Sequence, residues 1–351
     1  MFSLPFVALL SALVAQATPV KRFDGLTVKL TPASSSINSI EDLKLLAEVT
    51  NTGSEAVRVL KYGTVLDSLP TKSFSVSKNG TDVDFTGVRL TVKDTKAAFT
   101  TIESGQTISV THSVADIFDF SSAGTGTFSF TPNAELKIAG AESSAASKFS
   151  INVPSVDVEV TGPISKKAKR ATDICENASE ASFIDAAQTE GKELASIASG
   201  YITGGAGESI FTQYYGSNSP SEIAGVFNAV ANENDASRTQ VPFLVPLSCT
   251  DDLGVCDGNV IAYTVVSTTN IYFCDIFFDE VPSDSLCTGT SVASRNIRGG
   301  TVLHEMTHAV AGTTDIIYGC DQDIALDDEE SAANADNYNC FSTQAFANTQ
   351  C

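Results

Sequence analysis

The sequence predicts a chain of two unlike parts: an all-β, immunoglobulin-like segment over residues 18–170, then an α+β domain over residues 171–351. Three observations predict the division. The 351 residues carry a formal charge of −21, yet residues 171–351 hold four bases (Lys192, Arg238, Arg295, Arg298) against 26 acids, whereas residues 1–170 hold 17 bases and 16 acids. All eight cysteines follow Ala171. Apolar residues alternate with polar ones in the first part and recur at helical spacing in the second. With 42% hydrophobic residues both parts can bury a core, and the acidic balance argues against a nucleic-acid partner. No uncharged apolar run of spanning length follows the N-terminus, so no membrane partner is expected.

The elements follow in order. Phe2 to Val14 is apolar and Ala15-Gln16-Ala17 supplies small residues, which predicts a secretory signal over 1–17 and an extracellular protein. On that oxidising route an even number of cysteines can all pair. Leu43, Leu45, Ala47 and Val49 alternate with Lys44, Leu46, Glu48 and Thr50, and Asn51-Thr52-Gly53 turns the chain. Similar strands are predicted around Val88–Val92, Ile108–Val114 and Phe128–Phe130, with His112 on a strand surface. Ser165-Lys166-Lys167-Ala168-Lys169-Arg170 sits at the step in charge and cysteine content, which predicts cleavage after Arg170 by a dibasic processing protease. Residues 18–170 are then a propeptide and 171–351 the mature chain. Asn79-Gly80-Thr81 and Asn177-Ala178-Ser179 are glycosylation sequons.

In the second part, helices are predicted over Asn177–Tyr201, from Ser219-Pro220-Ser221-Glu222 onward, and over Val302–Val310. Strands are predicted at Val241–Leu247, Asn259–Val266 and Ile271–Phe278. The chemistry concentrates at His304-Glu305-Met306-Thr307-His308, an HExxH motif. On a helix its two imidazoles share a face and reach one zinc ion, while Glu305 lies one step round, beside the metal's water. Gly299-Gly300-Thr301 offers a helix start and Gly312 a stop. A catalytic zinc takes three protein ligands. The second part has no further histidine, and using a cysteine would leave an odd thiol, so the third ligand is a carboxylate. Asp315 and the pair Glu329/Glu330 compete for that place.

His304 to His308 followed by Gly312-Thr313-Thr314-Asp315-Ile316-Ile317-Tyr318-Gly319 resembles the HExxH and GTxDxxYG pair of the deuterolysin family, the fungal aspzincin metalloendopeptidases also called neutral protease II. The resemblance covers the whole chain. It implies a zincin-type protease domain, one Zn²⁺ per molecule, Asp315 as third ligand, Glu305 as general base and Tyr318 as a donor to the oxyanion. Glu329 and Glu330 then become an acidic start to a family-like helix through Ser331–Tyr338. It also implies the bridges Cys175–Cys249, Cys256–Cys274 and Cys287–Cys351, which leaves Cys320–Cys340 as an added fourth. The expected protein is a secreted, monomeric metalloendopeptidase made as a zymogen, acting on proteins and peptides, with basic ones such as histones and protamines favoured. Only six residues separate His308 from Asp315, so a tight turn at Gly312 is required. The competing class is an adhesion protein with a structural zinc, but such sites are usually closed by four ligands rich in cysteine.

Overall fold

Alternating burial builds the N-terminal half. In the computed structural model, which describes residues 21–93, 95–140, 146–162, 164, 175–205, 208–233 and 247–351, strand β2 (Lys44–Asn51) follows β1 (Leu26–Pro32). Leu45, Ala47 and Val49 of β2 are buried while Lys44 and Leu46 face solvent, the period-2 pattern of a half-buried strand. After β3 (Val88–Val92) comes β4 (Thr107–Ser113), and β4, β2 and β1 form an antiparallel sheet in that order. Strand β5 (Gly126–Pro132) centres a five-stranded sheet, and a second five-stranded sheet closes the same core around Val59, Phe128, Phe130 and Val158. Asn51 makes the expected turn by accepting from Gly53 N. His112 differs from expectation. It is buried, packs edge-on against Phe74 with ring centroids 4.9 Å apart, and its Nε2 lies 3.0 Å from Val65 O. The signal segment 1–17 and the basic cluster Lys166–Arg170 lie outside the described residues.

The C-terminal half is mixed α and β. Helix α1 (Ala178–Thr203) is capped by Asn177, whose side chain accepts from Ser179 N, and α2 (Glu208–Tyr215) and α3 (Pro220–Ala231) follow. Strands β6 (Val260–Val265) and β7 (Ile271–Phe273) pair antiparallel, and Leu247–Ser248 adds parallel to β7. Residues 241–246 of the strand predicted there lie outside the described residues. The run predicted as strand to Phe278 ends at Phe273, because Cys274 is tied to Cys256 and Asp275–Asp279 coils into a 3-10 turn that stacks Phe277 on Phe273 at 4.1 Å.

Helix α4 (Arg298–Ala311) crosses α1 where neither helix carries a side chain. A Cβ on Gly299 would lie 2.7 Å from Glu190 Cβ, and one on Gly191 would lie 3.0 Å from Gly299 O. The glycine therefore sits inside the first turn for close approach rather than as a cap. Arg298 pins the crossing by donating to Glu190 Oε1 from Nε at 3.0 Å and from a terminal nitrogen at 2.5 Å. Helices α5 (Asp328–Ala333) and α6 (Ala335–Gln350) end the chain. Four disulfides close: Cys175–Cys249, Cys256–Cys274, Cys287–Cys351 and Cys320–Cys340. Among the described residues no helix is long and apolar enough to cross a membrane.

The two halves share a sheet. Strand β3, predicted as one more strand of the N-terminal sandwich, instead pairs antiparallel with β6, Leu90 opposite Tyr263 and Arg89 opposite Thr264. Leu60, Tyr62, Val88, Leu90 and Val92 join Val260, Tyr263, Tyr272 and Tyr318 in a core that belongs to neither half alone.

Candidate active site

Helix α4 turns Val302, Leu303 and Met306 into the core, so the opposite side presents His304, Glu305 and His308, all buried. The His304 and His308 rings stand edge to face with centroids 4.9 Å apart. Gly312 ends the helix in the left-handed conformation at φ 70°, which costs a residue without Cβ little. The chain then doubles back. Thr314 N donates to Ala333 O at 2.7 Å, Ala335 N donates to Thr314 O at 2.9 Å, and Asn334 Oδ1 accepts from Ile316 N and Ile317 N. This lacing fixes Asp315 over the helix, with Oδ1 3.0 Å from His304 Nε2 and 3.1 Å from His308 Nε2. It also breaks the helix expected through Ser331–Tyr338 into α5 and α6, because Asn334 at the junction is spent on holding the Asp315 turn.

The chemistry of these donors fits a metal ion. His308 Nδ1 lies 2.9 Å from Thr313 O, a carbonyl that can only accept, so Nδ1 carries the proton and Nε2 offers a lone pair. That Nε2 is buried without a hydrogen-bond partner. His304 Nδ1 faces the Asp336 carboxylate at 3.6 Å, which directs its Nε2 lone pair the same way. Two imidazole lone pairs and a carboxylate oxygen, all acceptors, thus converge within 4.8 Å of one another, an arrangement that calls for a cation between them. Glu329 is exposed and Glu330 pairs with Lys148, and neither is in that group.

The surrounding charges are strongly coupled. Burial alone would raise the Asp315 carboxyl, but the His308 and His304 imidazoles overcome it and hold the group far below the usual carboxylate range. Burial alone would lower His304, but hydrogen bonding to the accepting Asp315 and Asp336 carboxylates pushes it up to about 9. Glu305 is raised, chiefly by burial and against the pull of both histidines. Asp336 is itself fixed by Arg295, which donates to Oδ1 from Nε at 3.0 Å, and by Gly319 N, which donates to Oδ2 at 2.7 Å.

The N-terminal half reaches into the same place. Thr91 Oγ1 donates to Glu305 Oε1 at 2.7 Å, and Thr264 Oγ1 of β6 donates to Oε2 at 2.6 Å. Leu90 N donates to Asp315 Oδ2 at 2.9 Å, and the buried Tyr318 hydroxyl donates to Leu90 O at 2.6 Å. Beside this contact lies a cavity of about 360 Å³ between the halves, lined by Arg89, Lys137 and Lys148 on one side and Asp315, Tyr318 and Glu330 on the other.

Residues 4–351 match the model of the deuterolysin metalloprotease (M35) family. The chain belongs to the deuterolysin family. A neutral protease 2 homolog of Aspergillus fumigatus is 30% identical over 321 residues, covering 87% of this chain and 85% of the relative. Penicillolysin of Penicillium citrinum is 28% identical over 349 residues, 95% of this chain and 96% of its own length. A neutral protease 2 homolog of Botryotinia fuckeliana is 30% identical over 328 residues, with 87% and 89% covered. This deuterolysin is therefore a zinc metalloendopeptidase, and zinc is its cofactor.

Sequence reasoning did not single out Thr91, Thr264, Arg295 or Asp336. A threonine or an arginine carries no motif, and Asp336 was one acid among many. Its only sequence trace is its place in Ser331–Tyr338, which the family resemblance marked as a whole.

Proposed function

We propose that His304, His308 and Asp315 hold the zinc, that Glu305 moves the proton, and that the protein is a secreted endopeptidase made as a zymogen and cleaved after Arg170. The observation that carries the site is the convergence of two imidazole lone pairs on Asp315 Oδ1. On this reading the N-terminal half is an all-β, immunoglobulin-like pro-domain, α4 is the catalytic helix, and the mature chain is monomeric.

Zinc, when bound, polarises the scissile carbonyl and lowers the pKa of a water to roughly 7. Glu305 takes a proton from the attacking water and passes it to the leaving amine. Thr264 orients the Glu305 carboxylate from one oxygen and leaves the other for that water once Thr91 withdraws. The Tyr318 hydroxyl donates to the carbonyl oxygen as negative charge develops there. Asp336, held by Arg295, fixes the His304 ring and keeps its proton on Nδ1. The −22 formal charge of residues 171–351 supports steering of basic substrates such as histones and protamines by long-range attraction.

Metal analysis of variants tests the ligand set. Asp315→Ala is expected to lose zinc while Glu329→Ala and Glu330→Ala keep it. The opposite pattern would move the third ligand to the acidic segment.

A further inference from the structure

We propose that strand β3, Val88–Val92, is a built-in pseudo-substrate: it occupies the edge of β6 where an extended peptide substrate binds and presents the Leu90 carbonyl at the place of a scissile carbonyl. The inference rests on the zymogen reading and specifies the residues that enforce latency.

Without β3, β6 is the edge of its sheet, and it runs past the site, because Thr264 touches Glu305. An exposed edge accepts any extended backbone, since its N–H and C=O groups need partners whatever the side chains. Strand β3 supplies that backbone. Val266 N donates to Gly87 O at 2.9 Å, and Lys93 N donates to Asn259 O at 2.8 Å, so the ladder spans both ends of the strand. In an antiparallel pair alternate residues turn their backbone polar groups away from the partner. Leu90 does so. Its N–H goes to Asp315 Oδ2 and its C=O accepts from Tyr318, the side chain that serves the oxyanion under the proposed mechanism. The following residue, Thr91, places its hydroxyl on Glu305 Oε1, the position an attacking water needs. The strand thus satisfies the recognition groups and takes the proton-moving carboxylate out of use at once.

Other contacts hold the strand there. Lys61 Nζ lies 2.7 Å from Asp257 Oδ2, Lys148 pairs with Glu330, and Lys137 Nζ donates to Tyr318 O at 3.1 Å. Arg295 donates to Val92 O at 3.4 Å. The three lysines come from the less acidic half and face the acidic one, while Arg295 reaches the strand from the acidic half, so loss of the pro-domain after cleavage removes clamp and plug together.

The test fixes the strand in place. Val88 and Val265 are register partners, and antiparallel partners stand about 4.5–5.5 Å apart at Cα, within disulfide reach. The double variant Val88→Cys/Val265→Cys is expressed as the full chain and processed, with N-terminal sequencing to establish the new terminus and a non-reducing gel to establish the tether. The expected result is that cleaved, tethered enzyme has less than about a tenth of the peptidase activity of either cleaved single-cysteine variant. In parallel, hydrogen exchange on the wild-type chain is expected to find the Val266 amide, which donates to Gly87 O, protected before cleavage and at least about tenfold faster after it, while the Val265 amide, which donates to Asn270 O, stays protected. Full activity of the cleaved, tethered form, or equal protection of the Val266 amide before and after cleavage, overturns the proposal. A terminus other than Ala171 defeats the Arg170 reading alone, because the tether comparison is made on whichever cleaved form appears.

Discussion

Helix α4 and strand β3 meet over the same cluster of side chains by opposite routes. Helix α4 brings its chemistry within five consecutive residues, and the turn through Gly312 adds Asp315 from seven residues further on. Strand β3 comes from more than 200 residues away, brings one threonine hydroxyl and two backbone groups, and owes its place to the free edge of β6. One region contributes the groups proposed to bind and transfer; the other contributes a backbone that any extended peptide could imitate. The difference teaches that this site is built locally and filled non-locally.

The sharpest way to probe the α4 side is Glu305→Gln. Under the proposed roles it removes the proton carrier and no ligand, so peptide hydrolysis is expected to fall by roughly 10²–10⁴-fold while zinc content stays unchanged. A variant with near wild-type turnover would make α4 a metal holder only.

A smaller effect concerns the scaffold beneath α4. Burial pushes the Glu280 carboxyl up to about 8, against the lowering pull of the Thr301 hydroxyl, Arg295 and Lys93. The folded protein then keeps a proton that the unfolded chain has released, so this group's contribution is fully present below pH 4.5 and is lost as pH rises to about 8. Glu280→Gln is expected to remove that slope and to gain on wild type by a few kcal/mol between the two ends, read from urea unfolding at a series of pH values. A constant difference between variant and wild type would contradict it.

How much was legible follows the same local and non-local line. The HExxH helix, the stop at Gly312 and the alternation of β2 follow from spacing within a few residues, and the three converging side chains proposed as metal donors fall inside two short motifs. What was not legible depends on distant partners. The pattern of Val88–Val92 reads as a strand but carries no mark of which sheet it joins. His112 looked like a surface residue because β4 is otherwise mostly exposed, and only Phe74 and Val65 opposite make it a core residue. Helix α6 buries Asp336, Asn337, Asn339, Ser342 and Thr343, so a hydrophobic stripe could not reveal its inner face. Its polar groups are paired, as in Asn337 Nδ2 donating to Tyr214 O at 2.8 Å, and burial is then affordable.

The smallest expected effect concerns the acidic surface of residues 171–351 under the proposed processing. The processed enzyme should favour a lysine-rich peptide over a neutral one of equal length in kcat/KM, with the ratio shrinking as NaCl rises. A preference that salt does not reduce would replace steering by a local acidic subsite.

The central claim is the ligand set, and anomalous diffraction at the zinc edge from crystals of the processed enzyme tests it most directly. The expected result is one peak about 2.0–2.2 Å from His304 Nε2, His308 Nε2 and an Asp315 carboxylate oxygen. A peak ligated by Glu329, Glu330 or Asp336 in place of Asp315 would contradict it.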